Sequence, residues 1–103
     1  MSTEIMAVGQ TPATSSTVTV TFGETKLITI YTDTAGLKVP SGVDLLLQRK
    51  NHLGHWQDVY DVELGLIRFT SRLLNVNIVA AGEYRVLREN IEDIGVNIGV
   101  SVD

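Results

Sequence analysis

The sequence predicts an all-β fold, a single small sandwich of about seven or eight antiparallel strands. Three observations carry this. Apolar and polar residues alternate at period two through most segments from Thr17 onward. Turn-forming Gly, Pro, Asn and Asp residues separate these segments at short intervals. The closing stretch is the most regular. Ile94, Val96, Ile98, Val100 and Val102 alternate with Gly95, Asn97, Gly99, Ser101 and Asp103. As a strand it places all five apolar groups on one face; as a helix it would scatter them.

Taken in order, residues 1–15 read as a flexible N-terminal arm, because Gln10 to Ser16 is small, polar and interrupted by Pro12. The sandwich is expected over 16–103. Val18, Val20 and Phe22 alternate with Thr17, Thr19 and Thr21 in a half-buried strand. A second strand runs from Leu27 to Thr32, and a third from Val43 to Arg49, where Leu45-Leu46-Leu47 suggests cover on both sides. Asn51-His52-Leu53-Gly54 reads as a hairpin loop returning through His55 to Val62. Leu64 to Thr70, Leu74 to Val79 and Tyr84 to Arg88 are further strands. Asn90 to Asp93 reads as a loop or a single helical turn.

Composition narrows the function classes. The chain has 103 residues, enough for one domain and one core but little room for a deep, walled pocket. With 44% hydrophobic residues it is globular, not disordered. A net charge of -4 opposes phosphate binding, so no nucleic-acid partner is expected. The absence of cysteine excludes disulfides and thiolate metal sites. Met1 to Gly9 lacks a basic, apolar secretory pattern, and no apolar run approaches bilayer-spanning length. The chain is therefore expected to be made and kept in cytosol, or assembled from there, with no membrane partner.

Few residues invite chemistry, and no catalytic residue, cofactor or metal is expected. His52 and His55 lack zinc-type spacing, with only Asp58 and Asp61 nearby. Asp58, Asp61 and Glu63 read as a solvated acidic face without the cleft that acid–base work needs. Arg68, Arg72, Arg85 and Arg88 read as part of a mixed surface. Trp56 reads as a core residue, with an exposed ring for stacking on sugars as the other reading. Gly95 and Gly99 lie within the closing strand, where glycine weakens pairing. Either the outer face there is loosely covered, or it lets another backbone approach closely. On the second reading Gly95, Asn97, Gly99 and Ser101 form a flat strip that a partner covers, with Pro12 on the arm as a further contact. A bulky charge at Gly99 is then expected to disturb assembly and spare folding.

Gly82-Glu83-Tyr84-Arg85-Val86 resembles the Gly-x-Tyr corner of immunoglobulin-like sandwiches, in which the tyrosine hydroxyl ties down the preceding turn. The resemblance implies an immunoglobulin-like sandwich with Tyr84 facing inward. Val86 stands where that family has a cysteine, and Trp56 follows the hairpin instead of preceding it. From about Thr17 to Val102 the chain also looks like small accessory proteins of tailed-phage virions. The shared features are the Thr/Val-rich opening strand, Gln48-Arg49-Lys50 running into Gly54-His55-Trp56, the Gly-x-Tyr-Arg-Val corner and the Gly-spaced closing strand.

That resemblance implies a non-enzymatic head-decoration or auxiliary capsid protein, bound to capsid or other virion proteins as a symmetric homo-oligomer and located on the virion after assembly in host cytoplasm. The alternative is a carbohydrate- or receptor-binding module of a phage tail, using Trp56, Tyr60, Gln57 and Asp58.

Overall fold

The alternating segments fold as strands in a computed structural model that describes residues 2–36, 38–61 and 65–103. The first are β1 (Thr3–Gly9), β2 (Ala13–Thr14), β3 (Val18–Val20) and β4 (Lys26–Thr32). Then come β5 (Leu45–Lys50), β6 (Trp56–Asp58), β7 (Tyr60–Asp61), β8 (Gly65–Leu66) and β9 (Arg68–Phe69). The last are β10 (Asn75–Ile78), β11 (Gly82–Arg88) and β12 (Ile98–Val102). No helix occurs among the described residues.

One sheet has the order β1-β12-β4-β10. The other has β11 and β5 at its centre. On one side β2 and β3 both pair β11, and on the other β6 and β9 both pair β5. Pairing is antiparallel throughout. Among the described residues, setting aside the separate β7–β8 pair and counting β2 with β3 as one interrupted strand and β6 with β9 as another leaves eight. The first then pairs the eighth, the second the seventh, the third the sixth and the fourth the fifth. The eighth also joins the third, and the seventh joins the fourth. This is the order of a double-sheet jelly roll.

The sandwich expectation therefore holds, and its immunoglobulin-like qualifier is corrected. In the immunoglobulin order the last two strands share a sheet, whereas β11 and β12 lie in opposite sheets. The crossing is made by residues 89–97, with Ile91 buried between the sheets. Ile94 N–H and Gly95 N–H both donate to Ile91 O in a single turn, which Gly95 ends at φ 76°.

The core lies between the sheets. Leu45, Leu47, Phe69 and Val86 from one sheet meet Ile28, Ile30, Ile98 and Val100 from the other, all fully buried. Alternation thus read the inward-facing Val18 and Val20 of β3 and Ile98 and Val100 of β12 correctly. The apolar triplet behaves differently from its expectation, for Leu46 is only half-buried on the outer face.

The N-terminal arm is a correction. Residues 3–9 form β1, an edge strand paired to β12, and Met6 is 5% exposed within the core. Ser15 and Ser16 donate backbone bonds to Val86 O and Ile5 O, and Ser15 Oγ accepts from Val86 N–H at 2.8 Å. Arg88 fastens the segment further. Its guanidinium donates to Ala7 O at 3.0 Å, Thr11 O at 2.8 Å and Ile98 O at 2.6 Å. The residue is 6% exposed, and its burial lowers its pKa from the usual arginine value.

Tyr84 faces inward as expected and donates its hydroxyl proton to Ala80 O at 2.8 Å. Tyr84→Phe should cost roughly 0.5–1.5 kcal/mol, the net worth of one hydrogen bond, read from the denaturation midpoint. Arg88→Ala should cost more, about 3 kcal/mol or above, because charge-assisted bonds are stronger and three carbonyls lose their donor. Deleting residues 2–12 removes two of those acceptors with Met6, and should abolish the cooperative unfolding transition; a transition kept near the parent's midpoint would show that β1 is dispensable.

Candidate functional site

The strip predicted as an interface is not an exposed edge. β12 lies between β1 and β4, so the chain covers it with its own N-terminal strand. Gly99 pairs with Tyr31, and a Cβ at Gly99 would lie 2.8 Å from Tyr31 Cζ and 2.9 Å from Val8 Cγ1. The glycine thus accommodates a close approach from its own sheet. Tyr31 donates its hydroxyl proton to Glu4 Oε2 at 2.7 Å, and burial together with that bond pushes the phenol up to about 12. Asn97 donates to Asp33 at 2.9 Å, and Ser101 pairs with Glu4 and Thr29. Gly95 belongs to the preceding turn, not to the strand. Pro12 is exposed before β2, beside a shallow groove with Leu46 and Leu87.

A different surface stands out. The connections β3–β4, β5–β6 and β10–β11 all lie at one end of the sandwich. Their registers show it: Val20 pairs Gly82, Lys26 pairs Ile78, and Arg49 pairs Tyr84 just before the β5–β6 hairpin. This end displays Phe22 at 98% exposure, with Tyr60, Val79 and Leu53 at 70%, 69% and 67%. Leaving such side chains in water forgoes roughly 1.5–3 kcal/mol each.

Phe22 corrects the expectation that it continues the inward face of Val18 and Val20. Glu24 N–H donates to Thr21 O at 3.0 Å, and Gly23 takes φ 82°, which makes residues 21–24 a tight turn. Glu24 Oε1 accepts from Thr21 N–H at 2.9 Å and from Thr21 Oγ1 at 3.2 Å. The backbone bond holds the Glu24 carboxyl below the usual carboxylate range. The glycine was the readable signal, since it ends the strand before Phe22 can turn inward. The other two connections are equally tied. Asn51 Oδ1 accepts from the N–H groups of Leu53 and His55, and Ala81 O accepts from Arg49 Nη2.

Trp56 is not in the core, contrary to the expectation. It lies half-buried on the outer face of the β11–β5–β6 sheet, with the Arg85 guanidinium 4.4 Å and the Lys50 ammonium 5.8 Å from its ring centroid. Arg85 Nε donates to Gln48, Gln48 donates to Asp58 at 3.0 Å, and Lys50 pairs with Glu83 at 3.7 Å. Tyr60 instead borders a groove of about 270 Å³ with Arg49, Asn51, Gln57 and Asp58. His52 and His55 are exposed on the hairpin, and Glu63 lies outside the described residues. The four arginines scatter. Arg68 pairs with Asp44 at 2.9 Å, Arg72 is exposed, Arg85 covers Trp56 and Arg88 is buried.

Gly99→Lys should now destabilise the isolated domain by about 1–3 kcal/mol, since it overpacks Tyr31 and Val8. Combining it with Tyr31→Ala should recover part of the loss in a denaturation series. A Gly99→Lys protein as stable as the parent would mean that this face opens freely.

No family model, no curated protein and no solved structure matches this chain.

Proposed function

We propose that the protein is a non-enzymatic structural protein of a virion, a head-decoration or auxiliary capsid protein of the tailed-phage kind, held on its particle by contacts with capsid or other virion proteins. The observation that carries the reading is the apolar end, where Phe22, Leu53 and Val79 stand out on tied turns and Tyr60 is exposed on β7. Exposed apolar groups concentrated in one region mark interaction sites. The jelly roll is compatible with the role, being a fold used by capsid and lectin domains, though fold alone does not assign it. The tailed-phage resemblance of the sequence supplies the virion context.

A second reading, a carbohydrate- or receptor-binding module of a phage tail, is favoured by the groove beside Tyr60. Gln57, Asp58 and Arg49 would supply hydrogen bonds beside its ring. Trp56 adds little to it, because Arg85 lies over the indole.

Purified protein should co-sediment with head shells assembled from the capsid protein encoded beside it. Leu53→Ser combined with Val79→Ser should weaken that binding at least about tenfold, as for two interface anchors. A gene neighbourhood without capsid or portal genes, or shell binding indifferent to the paired change, would overturn the virion reading. Binding to host surface polysaccharide that Tyr60→Ala removes, without shell binding, would favour the second.

A further inference from the structure

The sandwich carries an apolar knob at one end and an apolar groove at the other. Phe22 is the knob, 98% exposed on its tied turn. The groove lies where β4 runs out into residues 33–39 and where residues 70–74 lead into β10. Ile30, Tyr31, Ala35, Val39 and Leu74 line it, and its volume is about 810 Å³, several times a phenyl ring. Because β4 runs from Lys26 beside the knob to Thr32 beside the groove, the two features are separated by the length of a strand. The molecule measures 37 Å along its longest axis.

The charges match as well. Glu24 sits two residues from Phe22, and its carboxyl is held below the usual range by the Thr21 N–H bond, so it is ionised at neutral pH. Its nearest cation, Lys26, is 3.9 Å away and only loosely engaged. The groove carries Lys38, which has no ion-pair partner among the described residues. A convex apolar group with an adjacent anion thus faces a concave apolar groove with an adjacent cation, on opposite ends of one chain.

We infer that the occupant of the groove is a second copy of this chain, with Phe22 of one molecule seated between Val39 and Leu74 of the next and Glu24 beside Lys38. This rests on the reading of the apolar end as an assembly contact and names its partner. Such a contact is heterologous. It joins unlike surfaces and repeats head to tail, closing into a ring or extending as a row according to the rotation between copies. A buried phenyl supplies about 150–250 Å², well under the ~800 Å² per partner of a standard interface. The single contact is therefore weak, and becomes effective where many copies are held close together.

Sedimentation velocity on the purified chain, up to about 1 mM, tests this. The parent should show concentration-dependent association beyond a dimer. Phe22→Ser and Leu74→Arg should each be monomeric; Phe22→Ser, at a position 98% exposed, should leave the unfolding midpoint near the parent's, and Leu74→Arg, at a position 37% exposed, should still unfold cooperatively. An equimolar mixture of the two variants should form a dimer and nothing larger, since only one intact knob and one intact groove remain per pair. The double variant Phe22→Ser/Leu74→Arg, mixed with either single variant, should stay monomeric. A monomeric parent overturns the inference, and so does a mixture that fails to dimerise while the parent associates. A parent that associates equally well after Phe22→Ser overturns it too. Shell co-sedimentation separates the two readings. Shell binding by a parent that is monomeric in solution, lost in Phe22→Ser, would keep the apolar end as an assembly contact and give it a shell protein as occupant.

Discussion

A buried guanidinium with no carboxylate partner among the described residues sets the order of this fold. Arg88 ends β11 in one sheet and reaches the carbonyls of Ala7 in β1 and Ile98 in β12 in the other, with Thr11 on the link between β1 and β2. A charge taken from water and left unpaired would be untenable. The three carbonyls make its burial tolerable only while β1 lies beside β12. Gly9 belongs to the same arrangement, since a Cβ there would lie 2.8 Å from Arg88 Nη2. The first and last strands are thus held together by a residue from the seventh of the eight, which is the closure a jelly roll needs.

β11 carries a second tie at its other end. Tyr84, four residues before Arg88, bonds to Ala80 and fixes the β10–β11 connection. Arg49, 5.7 Å from the Tyr84 ring centroid, bonds to Ala81 in the same turn. One strand therefore organises both ends of the sandwich by different means. At the Arg88 end the guanidinium points inward and takes up the carbonyls of Ala7, Thr11 and Ile98. At the Tyr84 end the backbone is tied from within, and side chains of residues 22, 53 and 79 are left projecting into solvent.

Much of this was legible in the sequence, and what was not has definite causes. Period two read the inward face of β12, because a central strand buries every second side chain against the core. It failed for β1, where only Met6 among residues 3–9 is buried. Register shifts on either side of Met6 break the alternation. Gly95 was misplaced because a glycine that ends a turn and one that spares a strand look alike in sequence. Gly99 was placed on the correct face, but its neighbour was read as another molecule instead of Tyr31 of β4, which is distant in sequence and paired with it across the sheet. The strand order was out of reach for a related reason. Its defining pair, β1 with β12, joins residues nearly a whole chain apart, and no local pattern encodes that.

The candidate surface was hidden by a competition between two local rules. Alternation assigns Phe22 inward after Val18 and Val20, whereas Gly23 allows the left-handed geometry that stops the strand. The turn prevails because its hydrogen bonds from Thr21 and Glu24 are made at once and nearby. The turn itself makes no demand for an aromatic ring at residue 22. It needs glycine at the following position and accepts most residues, proline among them, at this one. Nothing in the core gains from the ring either, because it is almost wholly in water. Gly23 and Glu24 answer to folding, whereas Phe22 answers to nothing within the chain. The same logic sets Phe22 apart from Trp56, whose half-buried place on the outer face is answered by Arg85, Lys50 and the polar network of its sheet. The turn beneath Phe22 is tied by Thr21 and Glu24, while the ring itself stands in water, so its outward position is explained by the turn's backbone and not by any packing among the described residues.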